Sequence, residues 1–195
     1  MKQLDVRSVA HIAAALARTG EPPPSASGTP RPPALEDVRI RPYGVTDRER
    51  LGRMAEHLSK ASLYTRFFSG TPRLPDHWVG TLENLDHWDR EALVALLAGE
   101  VIGVAEYIRD VRRPARADIA VLIADPWQRR GLGSRLVAYL AELAGRRGVT
   151  EFDADVILGN REAILAIRSN WPAVRSSSAD GAAHFRLPLP MPAPA

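Results

Sequence analysis

The spacing of apolar residues along the chain predicts a succession of strands and helices. Val38 and Ile40 alternate with arginines and predict a first strand. Two further apolar runs, residues 93–97 and 101–108, are separated by a short turn that contains Gly99. The two runs are therefore predicted to pair as an antiparallel hairpin.

Three helical segments are predicted between the first strand and this hairpin. Thr46 followed by Glu49 has the spacing of a capping box, and apolar residues at helical spacing continue to Leu58. Residues 62–68 predict a second short helix. Pro75 predicts the start of a third, because proline is tolerated in the first turn of a helix.

The second half of the chain alternates between strands and helices. Residues 119–124 are almost all apolar, which is typical of a central strand buried on both faces. A long amphipathic helix is predicted over residues 131–147, and residues 152–158 alternate as another strand. A final helix is predicted over residues 160–169, and residues 184–187 are predicted to form an edge strand.

This order predicts an α/β fold with a mixed central sheet of about six to seven strands, flanked by about four helices. The folded domain is predicted to span residues 35–187. Before it, residues 1–19 predict a short helix and the proline-rich residues 20–34 predict a linker. The proline-rich residues 188–195 predict a disordered tail.

Composition narrows the possible chemistry. The chain has 195 residues and no cysteine, which excludes disulfides, thiolate catalysis and cysteine-zinc sites. The five histidines have no metal-ligand spacing, so no metal site is predicted. The formal net charge of +3 suits an anionic ligand but is too small to indicate nucleic acid.

The sequence also lacks the signals of a membrane or exported protein. No apolar run approaches the roughly 20 residues that span a bilayer. The N-terminus has no clear cleavage site, so no signal peptide is predicted. We therefore expect a cytoplasmic protein without a membrane partner.

A polar turn joins the apolar strand at residues 119–124 to the long helix. Unpaired N–H groups and the helix dipole make such a helix start an anion site. Glycines let the backbone approach a phosphate closely, and arginines add charge-assisted contacts. The turn and the helix start read Gln128, Arg129, Arg130, Gly131, Leu132, Gly133 and Ser134.

Other phosphate loops fit this turn less well. A dinucleotide fingerprint needs a further glycine after Gly133, and a Walker loop needs Gly-Lys-Ser/Thr. The remaining alternative is an ordinary helix start with permissive glycines.

The pattern Gln-x-x-Gly-x-Gly at a strand-to-helix junction resembles the acetyl-CoA motif of the GNAT (GCN5-related N-acetyltransferase) superfamily. The resemblance covers about residues 38–187 and implies the GNAT fold. Three phrases resemble the GNAT domain of bacterial protein-lysine acetyltransferases. They are Tyr64-Thr65-Arg66-Phe67-Phe68, Gly103-Val104-Ala105-Glu106-Tyr107 and Asp125-Pro126-Trp127-Gln128.

The resemblance implies roles for particular residues. The turn from Gln128 to Ser134 would hold the pyrophosphate of acetyl-CoA. Asn160 would contact the cofactor arm, although a simple helix cap explains it equally well. Main-chain groups of three strand residues would bind the acetyl-pantetheine arm, namely Leu122, Ile123 and Ala124.

The resemblance implies an acetyl-CoA-dependent N-acetyltransferase, monomeric or homodimeric. Its acceptor would be a primary amine, in a protein lysine or a small molecule, that attacks the thioester directly. Two departures favour the alternative of a non-catalytic acyl-CoA sensor or interaction module. Ile167 stands where the superfamily often has a tyrosine that protonates the thiolate, and Trp171-Pro172 replaces the usual Gly-Phe.

A carboxylate must deprotonate the acceptor, because a lysine amine has a reference pKa near 10.4. Asp118, at the start of the central strand, is the first candidate, since the related lysine acetyltransferases commonly carry an acidic residue there. Glu106 is the second. Each is alternatively a solvated charge, or an ion-pair partner of a nearby arginine.

Overall fold

The structure is a computed structural model that describes residues 34–192. Contacts divide the chain into two units, Met1–Pro32 and Pro33–Ala195, and all described residues belong to the second. The helix predicted over residues 1–19 lies outside the described residues, as does all of the predicted linker but its last residue. In the described part, no helix is long and apolar enough to cross a membrane.

The described residues form seven strands and five α-helices. The strands are β1 Arg39–Pro42, β2 Arg90–Leu97, β3 Glu100–Arg109, β4 Arg116–Ile123, β5 Glu151–Ile157, β6 Ser176–Ala179 and β7 Ala182–Pro188. The helices are α1 Arg48–Ala55, α2 Lys60–Phe67, α3 Asp76–Glu83, α4 Leu132–Arg146 and α5 Arg161–Asn170. Three of the helices separate β1 from β2, as the sequence predicted.

All seven strands join one mixed sheet in the order β1-β2-β3-β4-β5-β7-β6. Neighbouring strands are antiparallel except β4 and β5, which are parallel and connected through α4. The predicted α/β architecture and the hairpin of β2 and β3 are confirmed.

Each face of the sheet has its own apolar core. Leu132, Leu136 and Leu140 of α4 pack on one face, against residues such as Phe152 of β5. On the other face, side chains of α1, α2 and α3 pack against β2, β3 and the end of β4, including Leu122. Side chains alternate along a strand, so Asp118 lies on the same face as Leu122.

The two parallel strands diverge soon after they begin. β4 and β5 are in register at three positions, of which Asp118 opposite Asp153 is the last. β4 continues to Ile123 in register with β3 alone. An opening therefore separates the later halves of β4 and β5 and connects the two faces of the sheet.

This divergence corrects the prediction for residues 119–124. Ile119, Val121 and Ile123 are only half-buried, whereas burial on both faces was expected. The reason is the missing neighbour, because β5 leaves β4 after Asp153. The apolar run thus borders the opening.

The prediction of an edge strand at residues 184–187 was also wrong. β7 is an inner strand that pairs with β5 on one side and with β6 on the other. The edge is β6, whose four residues are all exposed. Its sequence is mostly serine, so it has no apolar alternation to reveal it.

Two local predictions need correction. No Thr46–Glu49 capping box starts α1; instead the carboxylate of Asp47 accepts a hydrogen bond from Gly44 N at 3.0 Å. In the segment predicted to be disordered, Leu189 N donates to Thr150 O at 2.8 Å and Met191 packs against the core.

Candidate cofactor and acceptor site

The turn between β4 and α4 has an unusual backbone. Arg129 has φ 57° and Gly131 has φ 80°, both in the left-handed region. Such a conformation is uncommon for a residue with a side chain, and it clusters at functional sites. In the described residues no side chain caps α4, which leaves the first N–H groups from Leu132 onward without an intrahelical partner.

Gln128 lies inside the turn. Its Nε2 donates to Ile123 O at 2.9 Å, to Asp125 Oδ1 at 3.0 Å and to Ser62 Oγ at 3.0 Å. These bonds fix the end of β4 relative to the turn and to α2. The side chain that was expected to contact the cofactor therefore has a positioning role in this geometry.

The main-chain N–H and C=O groups of the three residues predicted to bind the acetyl-pantetheine arm do not all point the same way. Ala124 N donates to Ile102 O of β3 at 3.0 Å, and Ala124 O accepts from Trp127 N at 2.9 Å. Because main-chain groups alternate sides along a strand, Leu122 faces β3 as well. The main-chain groups of Ile123 point toward the opening between β4 and β5 instead. Those of Val121 do so too, although the sequence prediction did not include Val121.

The space around Gly133 shows whether a phosphate group fits between the start of α4 and β4. A Cβ built on Gly133 would lie 3.9 Å from Ile123 Cγ1 and 3.9 Å from Val121 Cγ1, an ordinary contact distance. The first turn of α4 thus faces the unpaired half of β4 across a space that a larger side chain would fill. Unpaired N–H groups beside such a space suit a diphosphate.

The arginines of the turn lie at the surface. The guanidinium carbon of Arg130 lies 5.1 Å from the centroid of the Trp127 ring. Arg129 Nη1 is 3.9 Å from Glu162 Oε1. Both are exposed. An exposed pair at this distance is weak, so Arg129 can reorient toward an anion.

Helix α5 contacts the first turn of α4. Asn160 caps the helix, since its side chain accepts a hydrogen bond from Ala163 N at 3.2 Å, which confirms the predicted cap. At the other end, Asn170 Nδ2 donates to Ser134 Oγ at 3.0 Å and so holds the first turn of α4. Ile167, where a tyrosine was sought, packs against the core.

Asp118 lies on the same face of the sheet as Leu122, beside the opening between β4 and β5. Partial burial raises the pKa of the Asp118 carboxyl, and the negative charges of Asp153 and Asp155 raise it further. A raised pKa increases the basicity of the carboxylate, which suits a group that accepts a proton from an ammonium ion.

Glu106 is committed elsewhere. It is 5% exposed, forms an ion pair with Arg66 and accepts a hydrogen bond from Trp78 Nε1 at 2.6 Å. Both donors lie on Glu106 Oε1, so this oxygen is already occupied by partners within the protein. The geometry therefore favours Asp118 over Glu106 as the base.

The aromatic residues between the end of α2 and the start of β2 differ in burial. Trp78 is 7% exposed, and its ring packs edge-on against Phe67 with centroids 5.3 Å apart. Trp88 and Phe68 are exposed. Trp78 thus belongs to the core.

Sequence reasoning missed three polar residues on the two strands that follow β4 in the sheet. Asp153 and Asp155 project from β5 on the Asp118 face, and His184 of β7 is the register partner of Asp155. The alternation of β5 placed both aspartates opposite the apolar core, but only the strand register shows that Asp153 meets Asp118.

Both the sequence and the fold resemble those of known proteins. Residues 57–168, more than half of the chain, match the acetyltransferase (GNAT) family. An acetyltransferase of Pseudomonas aeruginosa is 31% identical over 122 residues, which is 59% of this chain. That match spans 65% of the relative's own length.

Solved structures show the same fold. The GNAT domain of S. lividans PAT superposes with a TM-score of 0.72 at 32% identity, covering 78% of this chain and 90% of that domain. A putative acetyltransferase from Salmonella typhimurium, solved with its cofactor acetyl-CoA, gives 0.62 at 18% identity, covering 78% and 94%.

Proposed function

The chain belongs to the GNAT acetyltransferase family, and we propose that it transfers the acetyl group of acetyl-CoA to a primary amine. The observation that carries this proposal is the alignment of two features. Uncapped N–H groups at the start of α4 face the half of β4 that β5 leaves unpaired. An extended ligand held at α4 therefore has a path through the sheet to the face that bears Asp118.

The cofactor contacts are proposed as follows. Main-chain N–H groups from Gly131 to Ser134 hold the pyrophosphate, and Arg129 and Arg130 add positive charge beside it. Ile123 N–H, directed into the opening, hydrogen-bonds the acetyl carbonyl. Bound acetyl-CoA supplies an activated thioester carbonyl.

Asp118 acts on the acceptor. Its carboxylate takes a proton from the ammonium group, and the neutral amine then attacks the carbonyl carbon. Asp118 lies five residues before Ile123 on β4, about 16 Å of extended strand, so the proton passes through a chain of water molecules. Ile123 N–H stabilises the negative charge that develops on the acetyl oxygen.

The leaving thiolate takes its proton from solvent. Ile167 has no proton to give and packs against the core. The same substitution supports the alternative function, a sensor that binds acyl-CoA without turnover.

Two measurements test the proposal. Calorimetry with CoA should give binding at a single site, and a free-thiol assay with acetyl-CoA and a lysine peptide should give turnover. Binding without thiol release from any amine would favour the sensor. The absence of CoA binding would contradict both functions.

A further inference from the structure

A second carboxylate lies beside Asp118. Asp153 is the register partner of Asp118 at the last paired position of β4 and β5, on the same face of the sheet. Its side chain is 10% exposed, yet Asp153 Oδ1 is buried and has no hydrogen-bond partner among the described residues. A buried carboxylate oxygen without a donor is costly, so a donor that approaches Asp153 would stabilise it.

The cluster also contains the imidazole of His184, which hydrogen-bonds Asp155 and not Asp153. His184 Nε2 is 3.4 Å from Asp153 Oδ1, whereas His184 Nδ1 is 2.8 Å from Asp155 Oδ1. The imidazole is therefore bound to Asp155 and only approaches Asp153. Arg186 is the β7 register partner of Asp153, but it is exposed. Within residues 34–192, the ion-pair partner of Asp153 is His184.

An alkyl chain fits the neighbouring surface. Ile108 of β3 is the register partner of Asp118, and 37% of its surface is exposed. Ala120, the next residue on this face of β4, is half-buried. Two carboxylates beside exposed apolar carbon suit an ammonium group at the end of a methylene chain.

We propose that Asp153 is the second carboxylate of the acceptor site and, together with Asp118, receives the acceptor as an alkylammonium ion. The proposal rests on the proposed function and specifies how its acceptor binds. Asp153 donates no proton and accepts none; its negative charge attracts the incoming ammonium group, which then moves along β4 to the thioester as Asp118 takes its proton. Asp153 is thus a positioning residue whose negative charge also keeps Asp118 basic.

The charged groups that act on Asp118 come from two elements, with Asp110 and Arg113 in the β3–β4 connection and Asp153 and Asp155 on β5. On the next strand, β7, Arg186 and His184 are the register partners of Asp153 and Asp155. Of these, Asp153 is the nearest in register. Asp153→Asn removes its charge with little change in shape, so the pKa of Asp118 should fall.

Carboxyl-carbon NMR of aspartate-labelled protein tests the proposal without turnover. The probes are Nα-acetyl-lysine methylamide and its norleucine counterpart, which lacks the ammonium group. The lysine probe should shift the Asp118 and Asp153 carboxyl resonances, and the norleucine probe should not. Asp153→Asn should weaken binding about tenfold, or ~1.4 kcal/mol. The control Asp180→Asn removes an exposed charge from the β6–β7 turn and should bind normally.

Two outcomes would overturn the proposal. One is a wild-type protein whose Asp118 and Asp153 resonances ignore the lysine probe. The other is a folded Asp153→Asn protein that binds the probe normally and keeps the pKa of Asp118 unchanged. CoA calorimetry on the same samples separates the two hypotheses, because lost CoA binding contradicts the proposed function and leaves the ammonium site intact.

Discussion

The Gln128 side-chain amide donates a hydrogen bond to the main-chain oxygen of Ile123, 2.9 Å away. The bond joins the end of β4 to the turn that begins α4. It fixes Ile123, whose N–H faces the opening, relative to the N–H groups of α4. The two proposed halves of the cofactor site are thereby held in one geometry.

Gln128→Ala should loosen this geometry. Affinity for CoA should fall about tenfold, because the hydrogen bonds of the Gln128 amide and the position of the turn are lost together. Thr65→Ala, which removes a hydroxyl from α2 outside this network, is the matched control. Calorimetry measures both, and equal affinities would remove Gln128 from the positioning role.

Gly133→Trp should abolish CoA binding while the fold survives. The indole would fill the space between α4 and the unpaired half of β4, where even a Cβ already touches Ile123 and Val121. Gly145→Trp places the same side chain in the same helix at an exposed position that has open space around it. Circular dichroism should give similar melting curves, and only Gly133→Trp should lose binding.

Local sequence patterns predicted the helices and strands of this fold more reliably than the pairing and register of the strands. The Gln128–Ser134 turn was found because a glycine-rich helix start has a local signature. The opening was not found, because the point at which β5 leaves β4 depends on long-range pairing. Asp153 was missed for the same reason, since its importance comes from facing Asp118 across two strands.

Glu106→Gln should damage stability rather than chemistry. The substitution would leave Arg66, which is largely buried, without its counter-ion. Breaking a buried ion pair from one side costs about 3 kcal/mol. Urea denaturation should detect this loss, while the pH profile of turnover should keep its midpoint. A shifted midpoint would return Glu106 to the role of base.

The buried carboxylate of Asp47 should make the fold sensitive to acid. Burial acts to raise the pKa of Asp47, but hydrogen bonds from Arg41 and Gly44 outweigh it and hold the pKa below its usual value. The stability from this group is therefore present above the unfolded pKa, near 4, and is lost as pH falls through the lower folded value. Asp47→Ala should cost about 2 kcal/mol at pH 7, and the difference should shrink in strong acid.

Asp118 should control the acid limb of turnover. Only the ionised carboxylate accepts a proton, so kcat/KM should fall as pH drops through the raised pKa of Asp118. Asp118→Asn should lower kcat about a hundredfold with unchanged CoA affinity. Asp118→Glu keeps a carboxylate and should recover most of that loss.

The same raised pKa has a consequence for stability. A carboxyl whose pKa is higher in the folded state stabilises the fold when protonated, and this contribution disappears as pH rises through the folded value. At neutral pH the ionised Asp118 therefore opposes folding through its repulsion with Asp153 and Asp155. Asp118→Asn should melt at the same or a slightly higher temperature than the wild type at pH 7. A protein that lost turnover and stability together would show that Asp118 serves the fold, and the base would have to be sought elsewhere.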